Sequence, residues 1–312
     1  VIVAKAPLRL TLGGGGSDLP GFYEKHGGFW VAATIDKYVY VLVKDRFEEN
    51  MRISYSKLEF ASQPEDVQHG VVREALKLYG LTRHLEVTSI GDLPSGSGLG
   101  SSGAFTVALL GALDRYTGRR DNMLPDTAYR LERENLNRAT GCQDHYAAYF
   151  GGGRAYTLTK EGRVSYTEMK LKPLESHLSL FFTDLTRNSE ALLTKAASAE
   201  ETMLRIKQIG LESYRALIDL DYVRFGELLR EHWELKRGIA DGMSTSYVDR
   251  CYAHALKHGA SAGKLIGAGG GGFLMLFSET EDSRDRVVHE IGTFLRHVPF
   301  SLTQGGLEVK QV

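Results

Sequence analysis

Pro94-Ser95-Gly96-Ser97-Gly98-Leu99-Gly100-Ser101-Ser102-Gly103-Ala104 decides how this chain is read. A flexible loop of glycine and serine runs straight into residues 101–116. There Ala104, Phe105, Val107, Ala108, Leu109, Leu110 and Leu113 place apolar side chains nearly all the way round a helix. Such a helix is buried, and the backbone N–H groups of its first turn have no partners within it. An anion in front of that turn would meet them, and phosphate is the natural guest. The competing explanation is that Ser101 or Ser102 only caps the helix. The alternating glycines before it exceed what a cap needs.

Residues 98–103 also fit GxGxxG, as do residues 267–272. A dinucleotide site would place that motif in the tight turn after a first strand, with an acid about 20 residues on. Here the motif is mid-chain, seven residues (91–97) separate it from the preceding strand, and no such acid follows. Residues 259–265 lack the hydroxyl after Lys264 and the first spacing that a Walker loop requires.

Composition narrows the rest. The chain has 312 residues, 38 basic against 39 acidic side chains, 42% hydrophobic residues and 35 glycines. That is a globular protein of about two domains. Net charge −1 gives no footprint for nucleic acid. No apolar run reaches membrane-spanning length. Cys142 and Cys251 have neither metal-ligand nor disulfide-framework spacing. A cytoplasmic protein with no nucleic-acid or membrane partner is the expectation. The glycines cluster at 13–16, 96–103, 151–153 and 267–272.

Outward from the loop, residues 1–12 alternate through Ile2, Ala4, Ala6, Leu8, Leu10 and Leu12, which predicts a strand, and residues 29–43 predict a second. An edge strand over 50–60, a helix over 71–79 closed by Gly80, and a strand over 85–90 precede the loop. After it come helix 126–138, a strand pair within 154–170, and strand 178–182. Helices over 189–214, 224–237 and 246–258, a strand over 272–277 and a helix over 282–296 complete the chain. The class is α+β, divided into 1–172 and 173–312.

Three segments together resemble the superfamily of galactokinase, homoserine kinase, mevalonate kinase and phosphomevalonate kinase, the GHMP kinases. They are residues 6–18 (Ala6-Pro7-Leu8-Arg9-Leu10-Thr11-Leu12-Gly13 through Asp18), the opening stretch, and Lys264-Leu265-Ile266-Gly267-Ala268-Gly269 through Phe273. Gly13-Gly14-Gly15-Gly16-Ser17-Asp18-Leu19-Pro20, residues 34–39, residues 141–148 and residues 263–272 look most like bacterial D-glycero-D-manno-heptose 7-phosphate kinases, which phosphorylate an anomeric hydroxyl.

The resemblance implies a mixed N-terminal α/β domain and a ferredoxin-like α+β C-terminal domain with the active site between them. ATP and Mg2+ would be required, a small sugar or sugar phosphate would be the substrate, and there is room for a homodimer. Asp144 matches the catalytic aspartate and Arg9 its basic partner. Pro94, Gly96, Ser97, Gly98, Leu99, Gly100, Ser101 and Ser102 match the phosphate-binding segment.

For the metal, Glu132 and Glu134 compete. Glu134 lies between Arg130 and Arg138 on helical spacing, as on a solvated face. Glu132 lies between Ala128 and Leu136, where an unpaired carboxylate is costly, so Glu132 is chosen. Ser102 is the matching hydroxyl, with Ser101 as alternate. Gly14, Gly15, Gly16, Ser17, Asp18, Gly269, Gly270 and Gly271 would meet the substrate. Gly15-Gly16 stand where galactokinases carry Glu-His, which argues against galactose. Arg187, Lys37 and Arg154 are candidates for a phosphate already on the sugar. The rival readings are an isoprenoid-pathway kinase and a non-catalytic sugar and nucleotide sensor.

Overall fold

In the computed structural model, which describes residues 1–185 and 190–312, strand β1 (Ile2–Gly13) realises the predicted alternation. Leu8, Leu10 and Leu12 enter the main core. Arg9 and Thr11, on the other face by the two-residue period, point to what becomes the cleft. Helix α1 (Pro20–His26) leads into the long strand β2 (Gly28–Asp45), antiparallel to β1. Register jumps from Pro7 opposite Tyr38 to Leu8 opposite Ile35, so Asp36 and Lys37 bulge out.

Strands β3 (Met51–Ser54) and β4 (Leu58–Ala61) form a hairpin where one edge strand was expected. Helix α2 (Gly70–Tyr79), strand β5 (Leu85–Gly91) and helices α3 (Ser101–Thr117), α4 (Leu124–Arg130) and α5 (Gln143–Phe150) follow, then the pair β6 (Gly153–Leu158) and β7 (Val164–Met169). The buried helix α3 lies against β1 and β2, and Ala104, Val107, Ala108, Leu109, Leu110 and Leu113 are all sealed into the core.

The second half begins with strand β8 (Leu178–Phe182), then helices α6 (Glu190–Ser198), α7 (Glu200–Ile218), α8 (Tyr222–Ile239) and α9 (Ser246–Lys257). Strands β9 (Ala262–Leu265) and β10 (Phe273–Phe277), helix α10 (Glu281–Ile291) and strands β11 (Arg296–His297) and β12 (Glu308–Gln311) complete it. Strands β11, β8, β10 and β9 make a four-stranded antiparallel sheet. Its other core holds Phe181, Trp233, Tyr252, Leu274 and Leu276 under the helices. The helix expected over 189–214 is two helices, with Ala199 between them in a non-helical conformation.

The first sheet runs β12-β1-β2-β5-β3-β4, with β6 and β7 continuing from the far end of β2. The expected division after residue 172 falls between β7 in one sheet and β8 in the other, but the chain returns, because β12 pairs with β1. The glycines at 151–153 serve this return. A Cβ on Gly151 would overlap the backbone of Gly305, and one on Gly306 would overlap the carbonyl of Tyr149. Gly152 N–H donates to Thr34 Oγ1 at 2.7 Å, and Thr34 Oγ1 donates to Thr303 O at 3.0 Å. The bulged Asp36 accepts from Ser301 N at 2.8 Å. Among the described residues no helix is long and apolar enough to cross a membrane, and both cysteines are free and buried.

Candidate active site

A cavity of about 370 Å³ opens between the two halves of the molecule. Strand β1 brings Arg9 to it and the start of α5 brings Asp144. Arg9 Nε donates to Asp144 Oδ1 at 2.8 Å, and Nη2 lies 2.6 Å from the same oxygen. Arg9 Nη1 donates to Gly98 O at 2.6 Å, tying the pair to the glycine loop. Arg9 is 4% exposed, whereas the Asp144 side chain is 23% exposed. Both Arg9 contacts fall on Oδ1, and among the described residues no hydrogen bond engages Oδ2 of Asp144, which lines the cleft.

The helix start is uncapped. Gly100 occupies the cap position in the left-handed region, and no side chain accepts from the first-turn N–H groups of α3. The cap explanation for Ser101 and Ser102 therefore does not hold. Ser102 Oγ donates instead to Glu132 Oε2 at 2.8 Å. Gly96, Gly98, Gly100, Ser101 and Ser102 line the cleft. Three residues expected with them do not: Pro94 is exposed, while Ser97 and Leu99 are buried, and none of the three lines the cavity.

Glu132 sits on a π-helical turn, residues 131–135, that continues α4. Helix 126–138 thus ends earlier than expected, and Asn137 in a left-handed conformation turns the chain back. Arg138 consequently leaves Glu134, which is exposed, and reaches Glu132 Oε2 at 3.0 Å. Thr106 Oγ1 at 2.6 Å and His145 Nε2 at 3.2 Å engage the other oxygen. Burial pushes the Glu132 pKa up, but His145 and the Thr106 and Ser102 hydroxyls outweigh it, and the carboxyl falls to about 2. The result is an ionised carboxylate beside a serine hydroxyl at the foot of the glycine loop.

The first glycine cluster divides. Gly15 and Gly16 line the cleft. Gly14, Ser17 and Asp18, expected to meet the substrate, do not line it, and Ser17 and Asp18 are fully buried. Ser17 Oγ donates to Gly14 O at 2.7 Å and Phe29 O at 2.8 Å, a staple between the loop and β2. Asp18 is fully buried and accepts from Gln143 N at 2.9 Å and Gln143 Nε2 at 3.1 Å. Gln143 precedes Asp144, so Asp18 fixes the turn from which the Asp144 side chain projects. Burial, with Asp144 as a further contributor, raises its pKa to about 6.

From the second half, Gly269 and Gly271 reach the cleft, whereas Gly270 turns away and donates its N–H to Met243 O at 2.9 Å. Arg187 lies outside the described residues. Lys37, beside Asp36 at 3.4 Å, and Arg154, paired with Glu168 at 2.9 Å, are remote from the cleft. Sequence reasoning missed His232, Lys236 and Lys264, which all line it. The signal was present. His232 and Lys236 extend, at i and i+4, the apolar stripe of α8 that starts at Phe225, and Lys264 interrupts a buried strand just ahead of a glycine run.

Known proteins share this arrangement. The GHMP kinases N terminal domain matches residues 67–152 and the GHMP kinases C terminal domain residues 213–297. A D-glycero-alpha-D-manno-heptose 7-phosphate kinase of Campylobacter jejuni is 30% identical over 88% of this chain and 89% of its own. A mevalonate kinase of Methanothermobacter thermautotrophicus is 31% identical over 78% of this chain and 82% of its own. The crystal structure of a D-glycero-D-manno-heptose 1-phosphate kinase from Bacteroides thetaiotaomicron superposes with a TM-score of 0.82 at 28% identity, covering 100% of this chain and 99% of that one. With the glycine loop, the Arg9–Asp144 pair and both matched domains in one molecule, the chain belongs to the GHMP kinase family and is an ATP-dependent phosphotransferase with an alcohol group as acceptor.

Proposed function

We propose that the protein is a sugar kinase that transfers the γ-phosphoryl group of ATP to the anomeric hydroxyl of a D-glycero-D-manno-heptose 7-phosphate, a step toward nucleotide-activated heptose. The observation that carries this reading is Asp144, held by Arg9 through one oxygen and lining the cleft, next to an uncapped helix start. Relatives named for heptose phosphates at both sequence and structure level support the sugar. The glycine floor at Gly15 and Gly16 leaves room that larger side chains would take. In domain terms, residues 1–172 would supply the nucleotide and catalytic wall and residues 173–312 the facing wall.

In this reading the acceptor hydroxyl lies against Asp144 Oδ2 and its oxygen bonds to the γ-phosphorus as the bond to the β,γ-bridging oxygen breaks. The hydroxyl proton passes to Asp144 and then to solvent, and ADP leaves. Arg9 holds the carboxylate's orientation and adds positive charge where the phosphoryl moves. The N–H groups of residues 101–103 would receive ATP phosphate oxygens. Ser102 and Glu132 are hard oxygen donors on the cleft wall, ionised or neutral as magnesium requires. They fit a nucleotide-bound Mg2+ once Arg138 swings off Oε2. The ion would neutralise phosphate charge.

Asp144→Asn should lose phosphoryl transfer by at least about a thousandfold, in the range of lost catalytic groups, and still bind ATP. Turnover retained in that variant would contradict the role given to Asp144.

A further inference from the structure

The cleft wall holds two amines that none of its own carboxylates pairs. Arg9 is matched by Asp144 and Arg138 by Glu132. Lys236 and Lys264 are matched by neither: among the described residues no carboxylate lies within salt-bridge distance of either amine. Lys236 Nζ instead donates to the carbonyl oxygens of Gly267 and Leu265, the latter at 3.4 Å. Lys264 is 3% exposed in the middle of β9. Beside them His232 is 1% exposed, lines the same wall, and its Nδ1 has no partner. Charging a buried amine without a counter-charge is costly, and here two such amines stand beside a buried imidazole. Such a wall is retained where an anion arrives to offset it.

Position says which kind of anion. Gly267, which receives the Lys236 amine, packs its backbone directly on Gly98, and Gly98 O receives Arg9 Nη1. The two lysines therefore stand across the cleft from the Arg9–Asp144 pair, within electrostatic reach of Arg9. Burial brings the Lys236 amine down to about 7, and burial with Lys236 and Arg9 holds Lys264 well below the ordinary lysine value. An arriving dianion would drive both amines to their charged form.

We propose that Lys236, Lys264 and His232 form a phosphate seat contributed by the second domain, separate from the glycine loop that faces it. It rests on the kinase reading for its place in the reaction. The phosphate has two sources, the group already on the acceptor or the group in transfer, and both present anionic phosphoryl oxygens to the lysines.

The test uses the whole enzyme with Lys236→Met and Lys264→Met, and Lys57→Met, an exposed lysine outside the cleft, as a control. Inorganic phosphate binding by calorimetry should weaken about tenfold or more in each lysine variant, while binding of a non-hydrolysable ATP analogue verifies folding. If the seat takes the acceptor's own phosphate, KM rises about ten- to hundredfold for heptose 7-phosphate and is unchanged for unphosphorylated heptose. If it takes the migrating group, kcat falls by a similar factor for both acceptors. Either result supports the seat. Both variants binding phosphate as tightly as wild type, with kcat and KM within twofold on both acceptors, would overturn it. Since the phosphate titration needs no turnover, it reads the seat even if the heptose assignment fails. Among the described residues the Lys264 amine makes no hydrogen bond to the backbone, unlike that of Lys236, so its removal keeps the test alive if Lys236→Met unfolds.

Discussion

Glu132 and Asp18 are both buried carboxylates, and they shift in opposite directions because their partners differ. Glu132 has four donors and stays ionised to about pH 2. Its folded pKa lies below its ordinary value of 4.5, so its stabilisation is fully present above pH 4.5 and is lost as pH falls through 2. That window is worth about 3 kcal/mol. Urea titrations of wild type and Glu132→Gln across it should show the pH slope reduced in the variant. An unchanged slope would mean that another group carries it. Asp18 accepts from one residue only, and burial wins, so its contribution declines as pH rises from 3.8 to 6. Asp18→Asn would set an amide NH2 against one of the two Gln143 donors. The expected outcome is about a tenfold loss in kcat from a misplaced Asp144, with nucleotide affinity unchanged. A KM-only effect on the sugar would instead make Asp18 a direct ligand. The resemblance named Arg9, Asp144 and Ser102, the apolar neighbours Ala128 and Leu136 singled out Glu132, and the fold brings all four to one cleft. That Asp18 faces Gln143 was not legible in the sequence, because only the fold brings residues 125 positions apart together.

At the scale of elements, the two glycine loops function as one joint. Gly98 is held at φ 87°, and a Cβ there would overlap the carbonyl of Ile266. Gly98→Ala should therefore cost about 1–3 kcal/mol through left-handed strain and the clash. It should also raise KM for ATP, since the loop must retreat from its cleft position. Thermal unfolding and nucleotide titration read the two effects separately, and a variant that loses neither would show the loops to be uncoupled. The strands with strict alternation were readable, β1 most clearly, because period-2 burial writes itself into Leu8, Leu10 and Leu12. The end of α4 was not. Its composition continues as a helix to Arg138, and the π turn that aims Glu132 inward depends on contacts from Ser102, Thr106 and His145, residues 13 or more positions away.

Across the whole molecule, the chain closes on itself. Strand β12 covers the free edge of β1, and the segment before it fills the bulge at Asp36 and lies on the glycines at 151 and 152. An exposed edge on β1 would also leave unpaired backbone groups open to other chains. Removing residues 299–312 should lower the unfolding temperature by at least about 5 °C, even though no cleft residue is deleted, and should promote association visible by light scattering. An unchanged transition would mean that the return is not part of the folded unit. The alternation in β1 points to a buried strand but does not name its second neighbour, which is why this closure was invisible beforehand.

All three scales meet at the cleft lined by Asp144, the glycine loop and the two buried lysines, for which the proposed acceptor is a sugar phosphate. The direct measurement is ADP release with ATP and Mg2+ across D-glycero-D-manno-heptose 7-phosphate, unphosphorylated heptose, mannose, fucose, galactose and mevalonate, with 31P NMR of the product. The expected result is turnover highest on heptose 7-phosphate and a new phosphate resonance on the anomeric carbon. Preferred turnover of mevalonate or of an unphosphorylated sugar, or sugar binding without any ADP release, would contradict it.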